Sequence, residues 1–127
     1  MRLALDTNRY VDFCRGKEDV LQHLRHAERV CLPFVVLAEL RAGFLSGTRA
    51  QANERILTRF LSSPRVRSLY PDEQTTHHYA RIFKYLRQQA TPVPTNDIWI
   101  AALVLQHQLV LYARDQHFDH LPQLPRL

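Results

Sequence analysis

Apolar and polar positions along this chain group into two recurring patterns. Short runs rich in apolar residues, at 2–5 (RLAL), 29–32 and 109–113 (LVLYA), read as strands buried on both faces. Residues 65–69 (RVRSL) alternate, as a half-buried strand does. Between these runs the apolar positions recur at helical spacing. A first helix is predicted from Thr7 and Asn8, which can cap it, to about Cys14, with Gly16 as its stop. Val20, Leu21 and Leu24 mark a short helix over 18–27, and Phe34, Leu37, Ala38 and Leu45 one over 34–45 that Gly47 and Thr48 break. Ile56, Leu57, Phe60 and Leu61 form the stripe of a helix over 49–62, and Tyr79, Ile82, Phe83 and Leu86 that of a longer one over 72–89. The prolines of TPVPT forbid helix and leave Thr95 or Asn96 to cap the most apolar helix, over 97–107. The tail HFDHLPQLPRL reads as irregular. Strands alternating with helices define an α/β fold, with a short, mostly parallel central sheet covered by helices.

Composition narrows the class. At 127 residues and 46% hydrophobic content, the chain fits one domain over 1–127 with one core. Its longest apolar run, IWIAALVL, is too short to cross a bilayer. The start, MRLALDTN, carries no apolar signal segment, so a cytoplasmic protein without a membrane partner is expected. A formal net charge of +5 favours polyanions, and only Lys17 and Lys84 are lysines among the 17 basic residues. Three glycines (Gly16, Gly43 and Gly47) offer no phosphate-cradling loop, which argues against P-loop and dinucleotide-binding proteins. Cys14 and Cys31 lack metal-type spacing and read as small core residues without a disulfide.

Candidate chemistry rests on four acids, each where a regular element starts, stops or is interrupted. Asp6 ends the run RLAL, Glu39 interrupts FVVLAEL, Asp97 opens NDIWIAALVL, and Asp115 follows LVLYAR. Carboxylates set against apolar surroundings need a positive partner. Each has an ordinary explanation: Asp6 as a turn residue, Asp97 as a helix cap, Glu39 paired with Arg41 or Arg65, Asp115 paired with Arg114 or His117. Taken together, four carboxylates from four segments suit a site assembled by the fold at the strand ends. A divalent cation would relieve their repulsion, and a few acids around a hard cation match metal-assisted phosphoryl chemistry.

Other residues carry less. His23 with His26, and His117 with His120, stand three apart, but no cysteine joins them, which disfavours zinc. His77 and His78 read as solvated, and His117 is a further candidate beside Asp115. Trp99 reads as core, with a dimer contact as the alternative. Phe44, Phe60, Tyr79 and Phe83 read as core or protein interface. Arg49, Arg55, Arg59, Arg65 and Arg67 form a basic stretch that reads mostly as a solvated face, with some able to line a nucleic-acid groove.

The segments LDTNRYVD (5–12), FVVLAELRAG (34–43), TNDIWIAA (95–102) and ARDQHFDHL (113–121) resemble, in order and over nearly the whole chain, the motifs of the PIN-domain family. More narrowly they resemble VapC-type toxins of bacterial toxin–antitoxin pairs. The resemblance implies a three-layer α/β/α nuclease that cuts RNA with Mg²⁺ or Mn²⁺. It makes Asp6, Asp97 and Asp115 the metal ligands, with Glu39 binding a metal or positioning the attacking water. Thr7 and Asn8 would orient the ligands from behind. It further implies a structured RNA substrate such as transfer RNA, a VapB-type antitoxin partner, a homodimer, and operator DNA bound only through the antitoxin. One departure stands out: many relatives carry Ser or Thr two residues before the last acid, where this chain has Ala113. Asp119 is then a candidate substitute ligand. Two other readings remain on the sequence: a catalytically weak regulatory module acting with an antitoxin on DNA, and a metal-dependent DNA nuclease.

Overall fold

The computed structural model describes residues 1–127. The four apolar runs form one parallel sheet: β1 (Arg2–Leu5), β2 (Arg29–Pro33), β3 (Val66–Leu69) and β4 (Val110–Tyr112), in the order β3-β2-β1-β4. Residues Leu3, Ala4, Leu5, Leu32 and Leu111 are buried, as expected for strands covered on both faces. Six helices connect and cover the strands: α1 (Thr7–Cys14), α2 (Glu18–His26), α3 (Phe34–Ser46), α4 (Ala50–Leu61), α5 (Glu73–Gln89) and α6 (Thr95–Gln106). The arrangement is the three-layer α/β/α fold expected from the sequence. No helix is long and apolar enough to cross a membrane.

Topology positions the site. From β1 the chain builds outward through β2 and β3, then returns to place β4 on the other side of β1. The crevice between β1 and β4 is therefore a switch point, where the C-terminal ends of parallel strands leave room for a ligand. Leu5 pairs with Tyr112 in register, and the Asp6 N–H continues the ladder to the Tyr112 carbonyl at 3.3 Å. Aromatic packing seats α1 against α4: Phe60 meets Tyr10 edge-on at 5.3 Å and Phe13 at 5.1 Å. Trp99 is half-buried, with its ring 4.4 Å from Tyr79 and 6.2 Å from Phe34.

Several local expectations need correction. Asp6, not Thr7 or Asn8, caps α1, because its own Oδ1 accepts the Arg9 N–H. Pro94 occupies the cap position of α6 with no side-chain bond, so neither Thr95 nor Asn96 caps it. Proline has no N–H to lose at a helix start, which makes that position tolerable. The tail is more ordered than expected: Gln116–His120 form a 3₁₀ turn, and Leu111 exchanges backbone bonds with Pro125 and Leu127. Cys31 is buried, but Cys14 is exposed at the end of α1, and both are free thiols. Asp12, which reads as the solvated end of α1, is instead completely buried.

Candidate active site

The four acids meet at the C-terminal edge of the sheet. Asp6 leaves β1 and Asp115 follows β4 on the neighbouring strand. Asp97 lies in the first turn of α6, and Glu39 midway along α3. Hydrogen bonds tie the side chains into two neighbouring groups, one around Glu39 and one around His117. The Thr7 hydroxyl donates to Glu39 Oε1 at 2.7 Å, and Asn96 Nδ2 lies 3.5 Å from Glu39 Oε2. His117 Nδ1 stands 2.8 Å from Asp97 Oδ2 and 3.1 Å from Asp115 Oδ1. The His117 N–H also donates to Asp115 Oδ1 at 2.9 Å, so the 3₁₀ turn holds this carboxylate in place.

Electrostatics mark the place as unusual. Asp6 is 5% exposed. Burial is the main reason its pKa is pushed up to about 6 from an ordinary 3.8, and the Asp115 charge adds to it. The Arg9 N–H and the Arg9 and Arg114 charges pull it only partly back. Burial likewise raises Asp97, helped by the charges of Asp115 and Glu39 and opposed by His117. No side-chain cation is salt-bridged to Asp6 or Glu39, and Asp97 and Asp115 share only His117. The alternative partners are engaged elsewhere. Arg41 makes two bonds of 3.0 Å to Glu54, Arg65 donates to the carbonyls of Leu24 and Ala27, and Arg114 turns to Asp12.

The donor set fits a hard or borderline divalent cation. It is built of carboxylate oxygens with one imidazole and no thiolate, and ligand atoms of Asp97, Asp115 and His117 all lie within 4.8 Å of one another. A buried carboxylate whose proton is held abnormally tightly, without an ion-pair partner, is the second sign. Asp97, Asp115 and His117 are the residues whose ligand atoms could together hold the cation, and Asp6 and Glu39 stand outside that group.

Other expected residues divide. Asn8 is exposed and makes no hydrogen bond to the acids. Asp119 is paired with Arg126, whose Nη2 donates to the Ala113 carbonyl at 3.1 Å, so it stands outside both groups. Ala113 is buried. Arg65 and Arg67 spend donors on nearby carbonyls, while Arg49, Arg55 and Arg59 remain exposed. His23 sits edge-on to Tyr112, and His26 bonds the Gln22 carbonyl. Asn96 escaped notice as a site residue; its position beside Asp97 in TND was the available signal.

The chain belongs to the PIN-domain family, whose model matches residues 3–124. Among curated proteins it is 30% identical, over 98% of this chain and 95% of the relative, to Ribonuclease VapC1 of Haemophilus influenzae strain R2866. The structure superposes on VapBC-1 from nontypeable Haemophilus influenzae with TM-score 0.88 and 26% identity, covering 100% of this chain and 97% of that one. It also matches VapBC-5 of Mycobacterium tuberculosis, a member of the VapBC family of toxin–antitoxin systems, with TM-score 0.72 and 26% identity over 100% of both chains.

Proposed function

We propose that this protein is a metal-dependent endoribonuclease, the toxin of a VapBC-type toxin–antitoxin pair, acting as one nuclease domain over 1–127. The observation that carries the reading is the buried Asp6 carboxyl, without an ion-pair partner, at a sheet edge shared with Asp97, Asp115 and Glu39. The names of its VapC and VapBC relatives support the substrate class and the partner. A bound Mg²⁺ or Mn²⁺ supplies Lewis acidity toward the phosphodiester and its attacking water.

The chain's own residues do the rest. Asp6, Asp97 and Asp115 would hold the cation from three separate segments: the end of β1, the first turn of α6 and the turn after β4. Glu39 is exposed at the mouth, steadied by Thr7 and Asn96, and is placed to orient a water and accept its proton. His117 steadies Asp97 and Asp115 from the solvent side. The net charge of +5 gathers the polyanionic substrate, a structured RNA such as transfer RNA. The reading includes a cytoplasmic, homodimeric toxin silenced by its antitoxin, which alone brings it to operator DNA; the VapBC names of its structural neighbours support the antitoxin partner. For the antitoxin, α3 and α4 offer a groove of about 490 Å³ lined by Arg41, Phe44, Leu45, Glu54 and Arg55.

Purified, antitoxin-free protein should cleave structured RNA with Mg²⁺ or Mn²⁺ and stop in EDTA. Asp6→Asn and Asp97→Asn should each lower the rate by more than about 100-fold, since loss of residues that merely orient ligands already costs about 10–100-fold. If both variants cut as fast as wild type, the site assignment is wrong. Parallel single-stranded and flap DNA substrates decide between RNA and DNA.

A further inference from the structure

Asp12 is 0% exposed, and three cations converge on it. Arg114 Nη2 lies 3.1 Å and Lys17 Nζ 3.4 Å from its Oδ1, and Arg9 Nη1 lies 3.5 Å from its Oδ2. A buried carboxylate needs compensation, but this arrangement does more than compensate. Two of the three cations belong to the segments that carry the site. Arg9 donates its backbone N–H to Asp6 at 2.9 Å, and its guanidinium lies over the Tyr112 ring, 4.4 Å from the centroid. Arg114 directly precedes Asp115 in the chain. Both charges are felt at the Asp6 carboxyl.

Arginine stays charged at every working pH, and its planar fork matches a carboxylate in two-bond geometry. Free guanidinium groups beside Asp6 and Asp115 would therefore neutralise the very oxygens a divalent cation needs. We propose that Asp12 is a positioning residue for the metal site: it draws Arg114 away from Asp6 and Asp115 and keeps those carboxylates open, while Arg9 is held separately over the Tyr112 ring. The inference rests on the proposed metal-binding role of these acids. The Arg114–Asp12 bond also anchors the segment after β4 to α1, and Arg126 Nη2 donates to the Ala113 carbonyl in the same segment.

The test is Mn²⁺ titration by calorimetry, with circular dichroism to confirm folding, on wild type, Asp12→Asn, Arg114→Gln and the double variant. Asp12→Asn should bind Mn²⁺ at least tenfold more weakly than wild type. The double variant should recover to within threefold of wild type, because the released guanidinium is gone. Arg114→Gln alone should bind within threefold of wild type or more tightly. A purely structural Asp12 would leave the double variant as weak as the single one, and that result overturns the proposal. So does an Asp12→Asn affinity equal to wild type. Should Asp12→Asn fail to fold, the double variant carries the test, and binding tenfold weaker than wild type refutes it. Wild type that binds no Mn²⁺ instead removes the metal reading beneath it, so the two failures are told apart.

Discussion

Replacing Asp6 with Asn should make the metal-free protein more stable while destroying its site. In the folded chain the Asp6 pKa is pushed from 3.8 to about 6, chiefly by burial. Each pKa step of one is worth about 1.4 kcal/mol, so keeping this carboxylate ionised at pH 7.5 costs about 3 kcal/mol. The folded state binds the proton more tightly than the unfolded chain. Stability therefore falls as pH rises between about 4 and 6, is level above that window, and carries no penalty below it. Asparagine removes the charge and keeps an oxygen to accept the Arg9 N–H that starts α1. With a loss of hydration and packing detail allowed for, a gain of about 1–3 kcal/mol is expected. For a chain of this size that is a melting temperature higher by about 3–10 °C. The assay is differential scanning calorimetry in EDTA at pH 7.5 and at pH 4, then in Mn²⁺. At pH 4 the advantage of the variant should vanish. In Mn²⁺ at about 100 times its Kd, wild type should gain about 2.7 kcal/mol and the variant little, which cancels or reverses the difference. An Asp6→Asn protein no more stable than wild type in EDTA at pH 7.5, or equally advantaged at pH 4, refutes the reasoning.

Two further outcomes follow from other parts of the fold. Asp72 caps α5, its Oδ1 accepting from Thr75 N at 3.2 Å and from Gln106 Nε2 at 2.9 Å, so it also ties α5 to α6; Asp72→Ala should cost about 1 kcal/mol by urea denaturation. Leu45 is 81% exposed in the α3–α4 groove, and Leu45→Arg should weaken a complex with the cognate antitoxin by about 30-fold, measured by surface plasmon resonance, while RNA cleavage by the free protein is unchanged.

The features legible in the sequence were those with local causes. Apolar runs at 2–5, 29–32 and 109–113 gave the strands because a parallel sheet buries both faces, and the periodic stripes over 72–89 and 97–107 gave α5 and α6. The four acids were readable because each interrupts or ends an apolar run. Some of what escaped depends on distant chain segments. Asp12 ends an amphipathic turn and looks solvated from its neighbours; its burial depends in part on a bond to Arg114, 102 positions away, which joins the nearby Arg9 and Lys17 in compensating its charge. The order of the tail was hidden for another reason: Leu111 is bonded to Pro125 and Leu127 through backbone groups that leave no side-chain pattern. The start of α1 was misplaced by one residue because Asp6 serves both as cap and as site carboxylate, and a site residue's second duty has no compositional mark. Cys14 was placed in the core by habit of its residue type, although the last turn of α1 faces solvent there.

The placement of β1 at the sheet centre has a consequence for synthesis. Its two neighbours come from distant parts of the chain: β2 is made soon after β1, whereas β4 and the segment that brackets Leu111 are made much later. Asp6 leaves the ribosome long before Asp115, and most of the fold is made in the interval. A growing polypeptide can thus fold α1 and β1 on β2 without ever presenting the assembled set of acids. Stalled chains ending before Val110 should accordingly bind no Mn²⁺, and the set comes into being only once the last strand has docked. For a protein whose proposed substrate is the RNA of its own cell, the interval between synthesis of Asp6 and of Asp115 is time in which a partner can arrive first.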